Sequence, residues 1–452
     1  MSVKVRFAPS PTGRLHIGNV RTAVLNWLFA LKHGGDFILR LDDTDRARSK
    51  EEYAHAIIED LEWLGLKPAA TYRQSARLKL YDAAAEKLKA AGLLYPCYET
   101  EHELNLKRKA QRMAGQPPVY DRAALKLTDE ERARLEAQGR RPHWRFRLPD
   151  ETVRFTDAVR GEVEVDLRSL SDPVLIRADG SYLYTLPSVV DDIDMGITHI
   201  IRGDDHLTNS AVQIALFRAL GAEPPVFAHH ALLRAKDGGP LSKRLGSLGV
   251  ADLREKGLEP ETIVSYCATV GSALPVEPHA DMQALARTFD LSRLSKAPAK
   301  FDEEELEALN ARLLHMMPCE MARPRLAARG IGLNCAEWEV ARANITHLHE
   351  AAIWDQVLHG EIAPPEGLSE EDRTFLRQAA ELLPREPWDE TTWKAWTDAL
   401  KAATGRKGKA LFMPLRLALT GRRHGPEMSK LLPLLGRARA TERLRCTMST
   451  TG

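Results

Sequence analysis

His16-Ile17-Gly18-Asn19 sits where a breaker-rich loop, Ala8-Pro9-Ser10-Pro11-Thr12-Gly13, gives way to helical periodicity. The unpaired amides of a helix N-terminus attract anions, a glycine there lets a phosphate approach the backbone, and a histidine adds a donor for developing charge. Taken alone, the four residues also fit an ordinary helix cap. A second candidate is Leu241-Ser242-Lys243-Arg244, which follows Asp237-Gly238-Gly239-Pro240 and precedes Gly246. Such a loop can close its lysine and hydroxyl over a triphosphate, and it reads equally as a solvated basic turn. A third is the pair Arg6 and Arg202, each at the C-terminal end of a strand-like run, where open α/β sheets bind ligands. Two guanidinium forks there suit a dicarboxylate. Asp42-Asp43-Thr44-Asp45, at the end of another strand, offers the opposite charge for an ammonium group, or a cap for the next helix.

The elements that must position these groups follow from periodicity. Val3, Val5 and Phe7 alternate with Lys4 and Arg6 as a strand; Val20, Val24, Leu25, Leu28 and Leu31 recur at helical spacing from Ile17 to His33; Gly34-Gly35 suits the helix end, and Phe37 to Leu41 resumes as a strand. Strand, loop, helix and strand within about 40 residues form a βαβ unit, the start of a parallel sheet. Ser49 with Glu52 predicts a capping box for a second helix ending near Gly65, and a third runs from Ser75 to Gly92. From Pro96 to Asp172 the texture changes to short helices, such as the one opened by Thr128 with Glu131, and alternating strands at Val153-Phe155 and Val163-Val165. Asp179-Gly180 marks a hairpin, and a strand at Thr198–Arg202 followed by a helix at Thr208–Leu220 restores the earlier rhythm. Beyond Val250 helical stretches take over, including Glu303–Leu314 and Ser369–Leu383 with its own capping box. The expected fold is a Rossmann-type α/β parallel-sheet catalytic domain with an α+β insertion, followed by an all-α C-terminal half.

A chain of 452 residues with 44% apolar and 28% charged residues has the composition of a globular protein of roughly three domains. Its formal net charge of +1 provides no whole-chain field for a polyanion. Cys97, Cys267, Cys319, Cys335 and Cys446 are dispersed and form no C-x-x-C pair, which predicts free thiols in a reducing compartment. No run approaches the ~18 to 20 apolar residues of a membrane span, and the N-terminus opens on a strand instead of a signal sequence, so a cytoplasmic location is expected.

Read together, Arg6-Phe7-Ala8-Pro9-Ser10-Pro11-Thr12-Gly13, His16-Ile17-Gly18-Asn19, Asp43-Thr44-Asp45, Tyr184 with Val189-Val190-Asp191-Asp192, Ile201-Arg202-Gly203-Asp204-Asp205-His206 and Leu241-Ser242-Lys243-Arg244 resemble the bacterial glutamyl-tRNA synthetases. The order and spacing cover the first 250 residues; a weaker likeness continues through Lys300-Phe301-Asp302 and Ala418-Leu419-Thr420-Gly421-Arg422. The resemblance implies a class I enzyme that activates L-glutamate with ATP and Mg²⁺ and transfers it to the terminal adenosine of tRNA(Glu), with tRNA(Gln) a second acceptor in non-discriminating relatives. It implies a catalytic set of His16, Gly18, Asn19 and Lys243. ATP would meet Ser10, His16, Gly18, Asp205, Leu232, Leu233, Ser242 and Lys243. Glutamate would meet Arg6, Ala8, Ser10, Asp42, Tyr184, Arg202 and His206. The implied division is a split catalytic domain (1–95 and 173–249), an inserted acceptor-stem subdomain (96–172), a stem-contact helical domain (250–309) and a helical anticodon-binding region (310–452). A monomer is expected.

Three positions depart from the family pattern. Asp42 stands where many relatives carry Glu, one methylene longer, so its contact with the amino group shifts or passes through water. Pro240 replaces the lysine that opens the second signature. Some relatives hold zinc in the insertion through Cys-x-Cys and a later Cys-x-His, whereas here Cys97-Tyr98-Glu99 is followed by Tyr120-Asp121-Arg122-Ala123-Ala124; a lone cysteine makes no four-ligand site, and no zinc or other metal centre is expected. In Arg140–Arg147, Trp144, Phe146 and Leu148 share one face and the arginines the other, as in a half-buried strand, although such a mix also suits a single-strand RNA reader. Trp388, Trp393 and Trp396 read as packing residues. Residues 401–452 hold twelve Lys and Arg against two Glu, a local +10 on a body of −9, which suits attraction to tRNA phosphates through Arg422, Arg423, Arg437 and Arg439, or a solvated helical face. Three rival readings are a nucleotidyltransferase sharing the H-x-G-x site, the truncated relative that glutamylates a modified nucleoside of tRNA(Asp), and a catalytically inactive RNA-binding or regulatory paralogue. The first needs neither the Arg6 and Arg202 pair nor the C-terminal half, the second lacks that half, and Asp42 and Pro240 keep the third open.

Overall fold

The structure is a computed structural model that describes residues 2–239, 241, 249–365 and 368–446. It divides into two units, residues 1–256 with 263–303, and residues 257–262 with 304–452.

In the first unit five parallel strands, β1 (Lys4–Phe7), β2 (Asp36–Leu41), β3 (Ala70–Arg73), β9 (His199–Gly203) and β10 (Val226–His230), lie in the order β10-β9-β1-β2-β3. The strands β4 to β8 belong to the intervening segment. β1 is central and pairs on both sides, with β2 through Val5↔Phe37 and with β9 through Val5↔His199. The chain thus reverses its winding direction at β1, and the C-terminal ends of β1 and β9 open onto the crevice where such sheets bind ligands. The sheet is covered on both faces, so β2 is buried from Phe37 to Leu41 with Arg40 included. Helix α1 (Ile17–His33) ends as expected on Gly34, whose φ of 59° is the left-handed turn that favours glycine.

Helix α2 (Glu51–Trp63) departs from the expected capping box: Lys50 is its N-cap, no side chain caps it, and the Ser49 hydroxyl is buried without a partner. The Lys50 amide is instead tied to the Pro11 carbonyl at 3.0 Å, which moves the helix start one residue on. Helix α3 (Leu78–Ala90) follows. The inserted segment contains a three-stranded antiparallel sheet of β4 (Leu94–Cys97), β5 (His143–Phe146) and β8 (Val174–Ile176), helices α4 (Glu101–Met113) and α5 (Asp129–Ala137), and a hairpin of β6 (Thr152–Asp157) with β7 (Gly161–Asp166). The Thr128–Glu131 capping box forms, and Val153 and Phe155 face Val165 and Val163 across the hairpin. Arg145 leaves the solvent face expected of it: it is buried, donates to the Asp172 carbonyl at 2.6 Å and lies 4.2 Å from the Tyr120 ring centroid. Helices α6 (Thr185–Asp194) and α7 (Leu207–Ala219) flank β9. Among the described residues beyond Val250 the elements are helical apart from one two-residue strand, β12 (Ala299–Lys300), parallel to β11 (Leu233–Arg234).

The second unit is helical. Trp338 and Trp396 are fully buried there, donating to the Met317 and Ala379 carbonyls, while Trp393 packs edge-on against Trp396. Cys319 and Cys335, at the starts of helices Cys319–Ala327 and Cys335–Ala341, form a disulfide, against the expectation of free thiols throughout; Cys97, Cys267 and Cys446 are free. Among the described residues no helix is long and apolar enough to cross a membrane.

Candidate active site

The loop after β1 and the start of α1 form one wall of a cleft of about 640 Å³ at the C-terminal ends of β1 and β9. His16 is the N-cap of α1, and its Nδ1 accepts the Gly18 amide at 3.1 Å. That bond places the ring proton on Nε2, and burial lowers the imidazole pKa, so His16 is a neutral donor at the mouth of a helix. A side chain on Gly18 would bring its Cβ to 3.0 Å from His16 Cε1, which explains the glycine. Ser10, Asn19, Asp205, Leu232 and Leu233 line the same cleft. Arg21 and His230 close its floor. Arg21 is buried, donating to the Ala231 and Val270 carbonyls at 2.6 and 2.9 Å, with its pKa lowered to about 10 by burial; His230 is held near 3 by burial and the adjacent Arg21.

Arg6 and Arg202 both reach the cleft, with Ala8, Tyr184 and His206 around them. Their surroundings differ. Arg6 uses only Nε on the protein, donating to Asp192 Oδ1 at 3.1 Å, and among the described residues its two Nη groups have no acceptor. Arg202 is 5% exposed and donates to Tyr184 Oη, Ser210 Oγ, Gln213 Oε1 and His229 Nε2 at 3.0, 2.6, 2.7 and 3.4 Å. Every one of those partners is neutral. No described carboxylate lies within ion-pairing distance of Arg202, and burial lowers its pKa. His206 is likewise neutral, lowered first by burial and then by Arg202.

Asp42 is not part of the cleft lining. Both its oxygens are taken by Arg40, from Nε at 2.7 Å and Nη2 at 3.1 Å, and Arg40 also donates to Asp192 at 2.8 Å. Burial opposes the Arg40 charge, but Asp42 and Asp192 outweigh it and keep its pKa raised. Sequence reasoning missed Arg40, Asp157 and His229, and quoted Asp192 in the family pattern without giving it a role. The one available signal was spacing: Arg40 and Asp42 are two apart on a strand and so share a face. Ser242 and Lys243 lie outside the described residues, as does Pro240.

In the inserted segment Cys97, Glu99 and His143 approach one another within 4.8 Å, a grouping hidden in sequence because His143 arrives from a different strand. Tyr120 Oη sits between the first two, 2.7 Å from Glu99 and 3.7 Å from Cys97. In the helical unit Arg422, Arg423 and Arg437 are exposed, and Arg437 and Arg439 spend part of their donors on the Pro384 and His359 carbonyls.

A helix N-terminus ready for phosphates beside two buried arginines, on a parallel sheet interrupted by an insertion and followed by a helical unit, describes a class I tRNA synthetase. Residues 2–308 match the family described as tRNA synthetases class I (E and Q), catalytic domain, and residues 365–448 match an anticodon binding domain. The chain is 60% identical over 447 residues to glutamate–tRNA ligase 2 of Methylobacterium sp. (strain 4-46), covering 98% of this chain and 99% of that protein. It is 57% identical to glutamate–tRNA ligase 1 of Brucella ovis, covering 98% and 100%. A crystal structure of a glutamate tRNA ligase from Elizabethkingia meningosepticum in complex with its amino acid superposes with a TM-score of 0.83 at 29% identity, covering 100% of both chains. The chain belongs to the glutamate–tRNA ligase family and is an enzyme.

Proposed function

We propose that the enzyme activates L-glutamate with ATP, which brings Mg²⁺, and passes the glutamyl group to the 3′-terminal adenosine of tRNA(Glu). The observation that carries the amino acid is Arg202, a buried guanidinium whose protein partners are all neutral, beside the open fork of Arg6. A carboxylate side chain supplies the missing charge, and the paired N–H groups discriminate against glutamine because its NH₂ would meet donors. Asp42, already paired with Arg40, reaches the amino group through water. The α-carboxylate attacks the α-phosphorus of ATP, forming the acyl–phosphate bond as pyrophosphate leaves with the electron pair. Such a displacement needs positioning and charge stabilisation more than a protein nucleophile. Neutral His16, the amides at the start of α1 and Asn19 supply donors on the nucleotide side, Lys243 supplies the charge for the departing pyrophosphate, and Ser242 adds a hydroxyl donor.

The test is ATP–pyrophosphate exchange dependent on glutamate, run with and without tRNA. Absence of exchange and of tRNA glutamylation under both conditions would refute the reading, and Lys243→Ala is expected to preserve glutamate affinity while the activation rate collapses. The inserted subdomain (96–172) holds the acceptor end, residues 250–309 the stem and 310–452 the anticodon. Parallel charging of tRNA(Glu) and tRNA(Gln) decides the breadth of specificity, and sedimentation tests the monomer. The work of supplying translation places the enzyme in the cytoplasm. The Cys97 grouping fits zinc poorly, because it has three donors where structural sites have four, and Glu99 already accepts from Tyr120. Elemental analysis finding stoichiometric zinc would overturn that assignment.

A further inference from the structure

Arg202 is held by side chains that lead out of the cleft to a carboxylate of the inserted segment. Asp157 ends β6, and its Oδ1 accepts three backbone N–H groups, from Val159 at 2.9 Å, Arg160 at 2.8 Å and His229 at 3.1 Å. Its other oxygen, Oδ2, lies 2.6 Å from His229 Nδ1. Burial alone would raise the Asp157 pKa, but the His229 bond and the three amides outweigh it, so Asp157 is ionised. An ionised Oδ2 accepts, which fixes the His229 proton on Nδ1 and leaves Nε2 as the acceptor. Nε2 faces Ser210 Oγ at 2.9 Å and Arg202 Nε at 3.4 Å, and Ser210 Oγ in turn accepts from Arg202 Nη2 at 2.6 Å. His229 is fully buried, and bonds at both ring nitrogens, to Asp157 and Ser210, hold its orientation.

We propose that Asp157 and His229 are a positioning pair for the amino-acid site, in which the inserted segment sets the histidine tautomer that aims Arg202 at glutamate. The proposal rests on the reading that Arg202 binds glutamate. Neither residue lines the cleft, and both act through Arg202 and Ser210. The consequence for one substitution is specific. In Asp157→Asn the amide oxygen must stay where three N–H groups point, so the NH₂ falls opposite His229 Nδ1. A donor there drives the ring proton to Nε2, where it opposes the N–H of Arg202 Nε and turns the Ser210 hydroxyl, then an acceptor from both the ring and Arg202, onto the His206 carbonyl at 3.2 Å.

The test combines exchange kinetics with ¹⁵N NMR of histidine-labelled enzyme. Wild-type His229 is expected as the Nδ1–H tautomer and the Asp157→Asn variant as the Nε2–H tautomer. KM for glutamate should rise about tenfold, with KM for ATP and kcat within about threefold, the size expected for one disrupted charge-assisted hydrogen bond. A switched tautomer with unchanged KM for glutamate, or a wild-type ring protonated on Nε2, would overturn the proposal. Should Asp157→Asn not fold, Ser210→Ala removes the shared hydroxyl and should raise KM for glutamate about threefold or more; no change overturns the proposal. Arg202→Lys separates the two levels. If it leaves KM for glutamate unchanged, the assignment of Arg202 to glutamate fails; if it raises KM while Asp157→Asn and Ser210→Ala do not, the positioning pair fails alone.

Discussion

Two buried arginines of the same sheet should respond in opposite ways to the same substitution. Arg40 is fully buried among carboxylates, donating to Asp42 and Asp192 and lying 3.7 Å from Asp191. Arg40→Met leaves Asp42 without its partner and Asp192 with only Arg6. Removing one member of a buried ion pair costs about 3 to 5 kcal/mol, which at about 1.6 °C per kcal/mol for a unit of this size lowers its melting temperature by about 5 to 8 °C. Arg202 is as deeply buried but faces only neutral groups, so Arg202→Met removes an uncompensated cation along with its hydrogen bonds. The relieved desolvation, of several kcal/mol, opposes the loss of four hydrogen bonds from a charged donor, worth about 1.5 to 3 kcal/mol each, so stability without ligand should fall by less than it does in Arg40→Met. Glutamate use should instead fall, because truncating one partner of a buried charge pair costs about 2 to 5 kcal/mol, at least a thirtyfold loss of kcat/KM for glutamate. Differential scanning of both variants with and without glutamate, beside exchange kinetics, reads all of this. If Arg202→Met destabilises the ligand-free enzyme as much as Arg40→Met, Arg202 is a structural cation and its assignment to the substrate is wrong.

Gly18→Ala pushes a methyl to 3.0 Å from the His16 ring that caps α1, and the exchange rate should drop about tenfold or more while KM for glutamate holds; an unchanged rate would show that the cap geometry is dispensable. Denatured, unreduced enzyme should titrate three thiols and reduced enzyme five, and opening the Cys319–Cys335 link, of separation 16, should cost the helical unit about 3 kcal/mol; five thiols before reduction would show that the link does not form. His359 is bonded to Asp355 at 2.8 Å and Glu337 at 3.0 Å, and these carboxylates, Asp355 first, raise its pKa above 6.5. Its contribution to the helical unit is therefore complete below pH 6.5 and lost as pH rises through the raised value; His359→Gln should flatten the pH dependence of melting there, and an unchanged profile would rule the contribution out. Replacing Arg422, Arg423, Arg437 and Arg439 with Gln should weaken tRNA binding and lower its salt slope by up to about 0.9 per lost phosphate contact, most from the exposed pair Arg422 and Arg423; unchanged affinity would favour a merely solvated basic face.

Much of the cleft was legible because its residues sit at strand ends and a helix start, and those positions follow from local periodicity. The run from Lys4 to Leu41 shows alternation, then a 3.6 period, then an apolar strand, and each signal became the matching element. What supports the cleft was not legible, because a charged residue in a strand reads as a solvent-facing position until its partners are known. Arg40 follows Phe37, Ile38 and Leu39 and is buried only because Asp42, 150 residues from Asp192, shares it with that residue. Arg145 is buried for the same kind of reason, since the Asp172 carbonyl and the Tyr120 ring replace water. Asp157 and His229 are separated by 72 residues and a change of element, and Cys319 and Cys335 by two helix starts, so no window-based pattern connects either pair. The Ser49 expectation failed on competition: a backbone bond from Lys50 to Pro11 settled the helix start that the capping residues had suggested.

The charges around β1 and β2 explain why a dicarboxylic amino acid suits this cleft. Arg6, Arg40 and Arg77 are paired with Asp192, Asp42 and Asp191, and Arg77 also with Asp194, so this cluster holds four carboxylates against three arginines and needs no further negative charge from a ligand. Arg202 stands outside that balance, and it is the one beside Tyr184 at the cleft. A ligand carboxylate at Arg202 would convert a desolvated cation into a pair without disturbing that cluster, so its binding is favoured by the charge already buried. Glutamine brings no charge to that position, and its NH₂ would add one more donor to a site that consists of donors. On the proposed reading, the preference for glutamate comes less from the shape of the cleft than from a buried cation with no ion-pair partner among the described residues, and removing that cation should abolish the preference before it affects the fold.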